Sequence, residues 1–219
     1  MSEKLKSRTF TPLDQAVLAW DQVMKSLFGG LAAAQRPNPA AKLEPDPRLS
    51  ETERAHIAGL MRVNHTGEVC AQALYQSQAL TARSEHLRDA MGRAAREEID
   101  HLHWCEQRLR ELGGRQSRLN PLWYAGSFAI GTVAGLVGDR WNLGFVAETE
   151  RQVVRHLQSH LRELPARDAR SRAIVVQMKS DEAQHATQAT ESGAADLPTP
   201  MKGLMNITAK CMTILAYRF

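Results

Sequence analysis

Glu98-Ile99-Asp100-His101 and Glu182-Ala183-Gln184-His185 repeat one pattern, a carboxylate and an imidazole three residues apart. Each follows a separate glutamate: Glu68 lies 30 residues before Glu98, and Glu150 lies 32 residues before Glu182. Residues three apart on a helix share a face, so each Glu-x-x-His offers one carboxylate and one imidazole to the same point. Two such helices, joined by two that each offer one glutamate, make a four-carboxylate, two-histidine cage for a pair of metal ions.

Helical phase decides which acidic residues belong. Apolar residues at three- and four-residue steps run Ile57, Met61, Ala71, Tyr75 and Ala79 around Asn64 and Glu68, and Leu87, Met91, Ala94, Cys105, Leu109 and Leu112 around Glu98 and His101. They run Val146, Val153, Leu157, Leu161 and Leu164 around Glu150, and Ile174, Met178 and Ala189 around Glu182 and His185. Four times a carboxylate falls within a face that should be buried. Glu148 is off its stripe, so Glu150 is the candidate. A third Glu-x-x-His, Glu53 and His56, is also out of phase; there Ser50-Glu51-Thr52-Glu53 is a capping box at a helix start.

An isolated ionised carboxylate in a dry core costs tens of kcal/mol by an idealised Born estimate, so real groups protonate, pair or bind metal. No arginine shares these stripes beside the glutamates. Two divalent cations would supply four positive charges against four negative ones. Carboxylates with two imidazoles suit iron or manganese over zinc.

The chain of 219 residues is long enough for one substantial core and too short to make two domains the natural reading. Cys70, Cys105 and Cys211 are odd in number and form no C-x-x-C pair, which points to a reducing compartment. No export signal or mitochondrial presequence is recognised at the start. The net charge is only +4, with arginines crowding 83–118 and 151–172, a face for acidic lipid headgroups, for nucleic acid or for water, with solvated helix surface the default for most of them.

The punctuation is helical throughout. Thr11-Pro12 to Gly29-Gly30 predicts an N-terminal helix, followed by a proline-containing linker from Arg36 to Pro47, so residues 1–49 form a leader to a domain over 50–219. Helices carrying Glu68 and Glu98 follow, with a stop at Gly113-Gly114. Asn120-Pro121 opens the next segment, Leu164-Pro165 and Gly193 end the helices of Glu150 and Glu182, and Thr199-Pro200 starts a last one. The predicted fold is all-α, a ferritin-like four-helix bundle with an added N-terminal helix, crossover segment and C-terminal helix.

That crossover, Leu119 to Gly138, holds no charge over twenty residues. Its length would allow a bilayer span, but a span would separate Glu98 from Glu150 across the membrane, so we expect it to lie in or dip into the interface. Trp123, Tyr124, Phe128 and Trp141 suit a headgroup-level belt. The C-terminal segment, with Met201, Leu204, Ile207, Ile214 and Phe219 beside Lys202, Lys210 and Arg218, is a second membrane candidate, with packing on the bundle as its alternative.

The runs Arg62-Val63-Asn64-His65-Thr66-Gly67-Glu68 and Ala147-Glu148-Thr149-Glu150-Arg151-Gln152-Val153, together with Glu98-x-x-His101 and Asp181-Glu182-x-x-His185, resemble the Coq7 family of di-iron hydroxylases of ubiquinone biosynthesis. The resemblance covers about residues 50–219. It implies a monooxygenase that hydroxylates 3-demethoxyubiquinol to 3-demethylubiquinol with O2 and two electrons. It further implies two Fe ions per chain on Glu68, Glu98, His101, Glu150, Glu182 and His185. Peripheral attachment to the cytoplasmic side of the inner membrane is also implied. The partners expected are a prenylated quinol, O2 and the membrane surface, with room for other ubiquinone-biosynthesis proteins; nucleic acid is not expected. Asp181 and Glu97, each next to a candidate ligand, are placed to hold the histidine of the opposite motif, a plain surface charge being the alternative. Gly67 costs its helix roughly 1 kcal/mol relative to alanine, which close packing or space for substrate would explain. The quinol should enter beside Trp123 and Phe128. Alternatives are a ferritin-like protein handling iron or peroxide, a di-iron nucleic-acid hydroxylase, and a non-enzymatic assembly protein.

Overall fold

The computed structural model describes residues 34–44 and 49–219; the expected N-terminal helix lies outside the described residues. Among the described residues there are six helices and no strand. They are α1 (Glu51–Thr81), α2 (Glu85–Glu111), α3 (Asn120–Val137), α4 (Asp139–Glu163), α5 (Ala169–Glu191) and α6 (Thr199–Arg218).

The helix starts follow from local chemistry. Ser50 accepts from the Glu53 amide at 3.2 Å while the Glu53 carboxylate accepts from the Ser50 amide at 2.9 Å, which is the expected capping box. Ser84 caps Leu87 at 3.1 Å, Asp168 caps Ser171 at 2.9 Å, and Pro121 and Pro200 occupy first-turn positions where no amide hydrogen is needed. Gly138, at φ 130°, separates α3 from α4, a conformation that a side chain would strain. Just beyond it, Asp139 accepts from the amides of Arg83 and Ser84 at 2.9 and 3.0 Å, tying this break to the α1–α2 turn.

Helices α1 and α2 form one hairpin and α4 and α5 another, and the two face each other across the bundle axis. Their core falls into two parts, one on each side of the acidic layer. Ile57, Met61, Cys105, Leu109, Leu157, Ile174 and Met178 pack on one side; Tyr75, Leu87, Met91, Leu143, Val146 and Ala189 pack on the other. Each fully buried Leu, Ile or Met contributes roughly 1.5–3 kcal/mol. These apolar layers hold the four helices in register and shield the carboxylates between them. The crossover helix α3 lies along α1, and α6 closes over α1 and α4. Arg62 fastens the far end of α6 by donating to the Tyr217 and Arg115 carbonyls at 2.7 and 2.8 Å.

One expectation changes. Tyr124 is buried, stacked on Phe128 and bonded to Gln76, so it packs inward; only Trp141 of the proposed aromatic belt is well exposed. Within the arginine-rich stretches, Arg108 is an exception to the solvated default: it is buried, bonded to Ser171 at 2.8 Å and Asp168 at 3.0 Å, and joins the end of α2 to the start of α5.

The contact between α3 and α1 depends on Gly131. A Cβ there would press on Ser77 and on the Leu74 carbonyl at 3.0 Å, whereas one at Gly126 would meet nothing. Gly131→Val should lower Tm by about 2–12 °C, since overpacking costs about 1–3 kcal/mol in a domain of this size. Gly126→Ala should leave Tm unchanged or slightly higher. Circular dichroism melts of both variants check the contrast.

Candidate metal centre

One glutamate from α1, one from α4 and a Glu-x-x-His pair from each of α2 and α5 converge midway along the bundle. All six predicted side chains are brought together, and all six are buried. The potential ligand atoms form two groups, Glu68, Glu98, His101 and Glu182, and Glu150, Glu182 and His185, with the atoms of each group within 4.8 Å of one another. Glu182 belongs to both.

The histidines point the same way relative to the cage. His101 Nδ1 lies 3.0 Å from Glu98, 3.2 Å from Glu182 and 3.8 Å from Glu68, while His185 Nδ1 lies 3.2 Å from Glu182 and 3.5 Å from Glu98. Their Nε2 atoms face outward, to Asp181 at 2.9 Å and to Glu97 at 2.7 Å. These are the crossed pairings expected from sequence, in which an outer carboxylate fixes the tautomer and leaves the inner nitrogen to bind. Tyr75, read from sequence as an apolar stripe residue, donates its hydroxyl to Glu150 at 2.5 Å. Only the ring would be visible in a periodicity argument.

The residues off the stripes are elsewhere. Glu148 pairs with Gln152 at 2.9 Å and Arg155 at 3.1 Å, outside both groups. His56 bonds the Tyr217 hydroxyl at 2.8 Å. Neither contributes to the cage.

Protons balance the charges inside the cage. Burial, reinforced by the charge of Glu98, pushes the Glu68 carboxyl well above its usual range; burial and Glu182 do the same to Glu150. Burial would also raise Glu182, but the adjoining rings of His101 and His185 outweigh it and hold this carboxyl low. Burial opposes the charging of both histidines, yet their carboxylate neighbours prevail, taking His101 well up and His185 up to about 11. The donor set nonetheless remains unsatisfied. Glu98 Oε1 and Glu182 Oε1 are buried without a well-directed hydrogen bond, although ring nitrogens lie 3.5 and 3.2 Å away. Oxygen atoms left this way within a ring of carboxylates fit divalent cations.

A cavity of about 890 Å³ reaches this layer from one side. Glu68, Glu150 and Glu182 form its acidic end, and α1, α3, α4 and α6 together wall the rest, largely with apolar side chains including Leu74, Val133, Val137, Phe145, Met201 and Met205. Gly67 lines it, and a Cβ there would meet open space, so close packing does not account for that glycine. Trp123 also lines it as expected. Phe128 does not, because it packs with Tyr124 against Val69, Ala73 and Leu102.

The family model described as ubiquinone biosynthesis protein COQ7 matches residues 55–216. The chain is 57% identical to the 3-demethoxyubiquinol 3-hydroxylase of Dechloromonas aromatica (strain RCB) over 206 residues, which cover 94% of this chain and 99% of that one. It is 52% identical to the protein of the same description from Alcanivorax borkumensis over 218 residues, 98% of this chain and 100% of that one.

A cation entering the cage must displace the protons on Glu68, Glu150, His101 and His185, so binding weakens as pH falls and strengthens as it rises. Calorimetric titration of metal-stripped protein with Mn(II), repeated in buffers of different ionisation enthalpy at about pH 7, should show net proton release, and affinity should drop between about pH 8 and pH 6. Uptake without proton release would contradict this charge assignment.

Proposed function

The chain belongs to the COQ7 family of ubiquinone biosynthesis proteins, and from that premise we propose how its cage and cavity carry out the family's hydroxylation. The chain is an enzyme that adds a hydroxyl to the ring of 3-demethoxyubiquinol. One atom of O2 enters the ring in place of hydrogen. The other leaves as water, with two electrons and two protons supplied from outside.

The apolar cavity that ends on three glutamates carries this reading. A quinol with a prenyl tail is almost wholly apolar except at its ring hydroxyls, so it fits a pocket with greasy walls and one polar end. Neither an iron store nor a nucleic-acid hydroxylase calls for such a pocket; phosphates would call for basic walls. Those alternatives are not favoured.

We assign Glu68, Glu98, His101, Glu150, Glu182 and His185 as the ligands of two iron ions. Iron supplies the redox capacity to activate O2 that no amino-acid side chain offers. The protein's own part is positional. Asp181 and Glu97 hold the histidine rings with Nδ1 turned inward, Tyr75 steadies Glu150, and the apolar layers exclude water from the carboxylates. O2 is the second substrate.

We also propose attachment to the cytoplasmic face of the inner membrane without crossing it. No described helix is long and apolar enough to span a bilayer. Leu122, Val133, Leu136 and Val137 on α3 and Leu204, Ile207 and Ile214 on α6 are exposed, next to the walls of the cavity, which suits delivery of substrate from lipid. Lys202, Lys210 and Arg218 on α6 would favour anionic headgroups. Leu136→Asp with Ile207→Asp, two positions outside the cavity lining, should reduce co-sedimentation with anionic liposomes at least several-fold while leaving metal content intact. Unchanged sedimentation would remove the interfacial role.

Purified protein loaded with Fe(II) and given a reductant, O2 and demethoxyubiquinol should form the hydroxylated quinol, and a deletion strain should accumulate demethoxyubiquinone. Glu150→Ala and His101→Ala should abolish turnover and bring bound iron below two per chain. Gly67→Leu should keep its iron yet lose about tenfold or more in kcat/KM, because the added side chain enters the cavity; Gly67→Ala should retain most activity and melt slightly higher. Normal ubiquinone in the deletion strain would overturn the reading.

A further inference from the structure

The two histidines are held by outer carboxylates of very different character. Glu97, the partner of His185, has a side chain 49% exposed, and it accepts from no arginine or lysine among the described residues. Asp181, the partner of His101, is 7% exposed, and one oxygen, Oδ2, accepts both from His101 Nε2 at 2.9 Å and from Arg36 Nη1 at 2.8 Å.

Arg36 comes from the segment that precedes the bundle. Its Nε donates to Asp100 Oδ2 at 2.7 Å, and the backbone amides of Gln35 and Arg36 donate to Asp100 Oδ1 at 2.7 and 3.4 Å. The guanidinium lies 5.0 Å above the Trp104 ring. Downstream the same strand of chain stays down: Asn38 bonds Gln107 at 2.9 Å and Ala40 is buried in the core. Asp100 is on α2 and Asp181 on α5, so one planar fork bridges the two helix hairpins beside His101. Arg36 Nη2 is 3.4 Å from His101 Nε2. Both atoms carry hydrogen when Nε2 donates to Asp181, so this is a contact between two donors and not a bond between them.

We propose that Arg36 is a positioning residue for the metal position formed by Glu68, Glu98, His101 and Glu182. It clamps Asp181, and through Asp181 it fixes the His101 ring with Nδ1 directed inward. Among the described residues the position formed by Glu150, Glu182 and His185 has no such clamp, so the two positions are unequal in how firmly these residues build them. A lysine would restore the charge without the fork. A guanidinium presents two donors in a fixed plane to two carboxylates, which an ammonium cannot reproduce.

The inference rests on the two-metal reading, and the wild-type protein tests that reading separately. Full-length protein stripped of metal is titrated with Mn(II) alone, following affinity by competition with a chelator and site identity by electron paramagnetic resonance. Wild type should take two ions and show an exchange-coupled pair; failure here would refute the two-metal reading itself. If wild type passes, Arg36→Gln should weaken one of the two ions about 10–100-fold, the usual effect of losing an outer partner, and convert the coupled spectrum to that of an isolated ion over a wide range of Mn(II). Arg36→Lys should recover only part of the loss. Asp100→Asn, which removes the clamp's anchor and leaves Asp181 and His101 untouched, should show the same one-ion defect and stands in if Arg36→Gln does not fold. Glu97→Gln should weaken the other ion, giving an additive pattern in the double variant. A merely structural strap would lower Tm and leave both affinities and the coupled spectrum unchanged. That result, or equal weakening of both ions, would overturn the proposal.

Discussion

Four carboxylates buried in one layer repel one another and have lost their water, and the rest of the molecule is organised around that cost. The raised carboxyls of Glu68 and Glu150 and the charged histidines show how protons relieve it. Protons neutralise but do not satisfy the geometry, since Glu98 Oε1 and Glu182 Oε1 keep no well-directed hydrogen bond. The apolar layers on either side make the arrangement possible. They hold helices at a spacing the acidic layer alone would push apart, and they keep the local dielectric low, so that each added positive charge counts for more than it would in water.

The bundle's four ligand-bearing helices do not account for the cavity. That space exists because α3 lies along α1 through Gly131 and Gly135, and because α6 closes from the other side. Helices α1 and α4 both carry ligands and line the cavity, while its remaining walls come from the two helices outside the repeat, which carry none. Such a division lets the pocket vary without disturbing the ligands.

Much of the site was legible because helix periodicity and charge cost act on the same residues. Glu68, Glu98, Glu150 and Glu182 each interrupt an apolar stripe, while Glu53 and Glu148 do not, and the structure separates them along that line. The crossed partners Glu97 and Asp181 were legible from their adjacency to the glutamates. Other features lacked a local signal. Arg36 is 64 residues from Asp100 and 145 from Asp181, in a stretch without periodicity, so its role depends on tertiary packing. Tyr75 and Tyr124 each count as apolar in a pattern, yet each places a hydroxyl on a polar acceptor, buried Glu150 in one case and half-buried Gln76 in the other. Arg108 resembles its exposed neighbours in sequence, and only the approach of α5 buries it.

Met201, Met205 and Met212 form part of the cavity wall on α6. Thioether side chains are unbranched and polarisable, and they reshape around different apolar surfaces at little energetic penalty. A wall of this kind grips a hydrocarbon without measuring it. Discrimination among quinols of different tail length would therefore have little to act on along α6, which leaves selectivity to the end of the cavity formed by Glu68, Glu150 and Glu182.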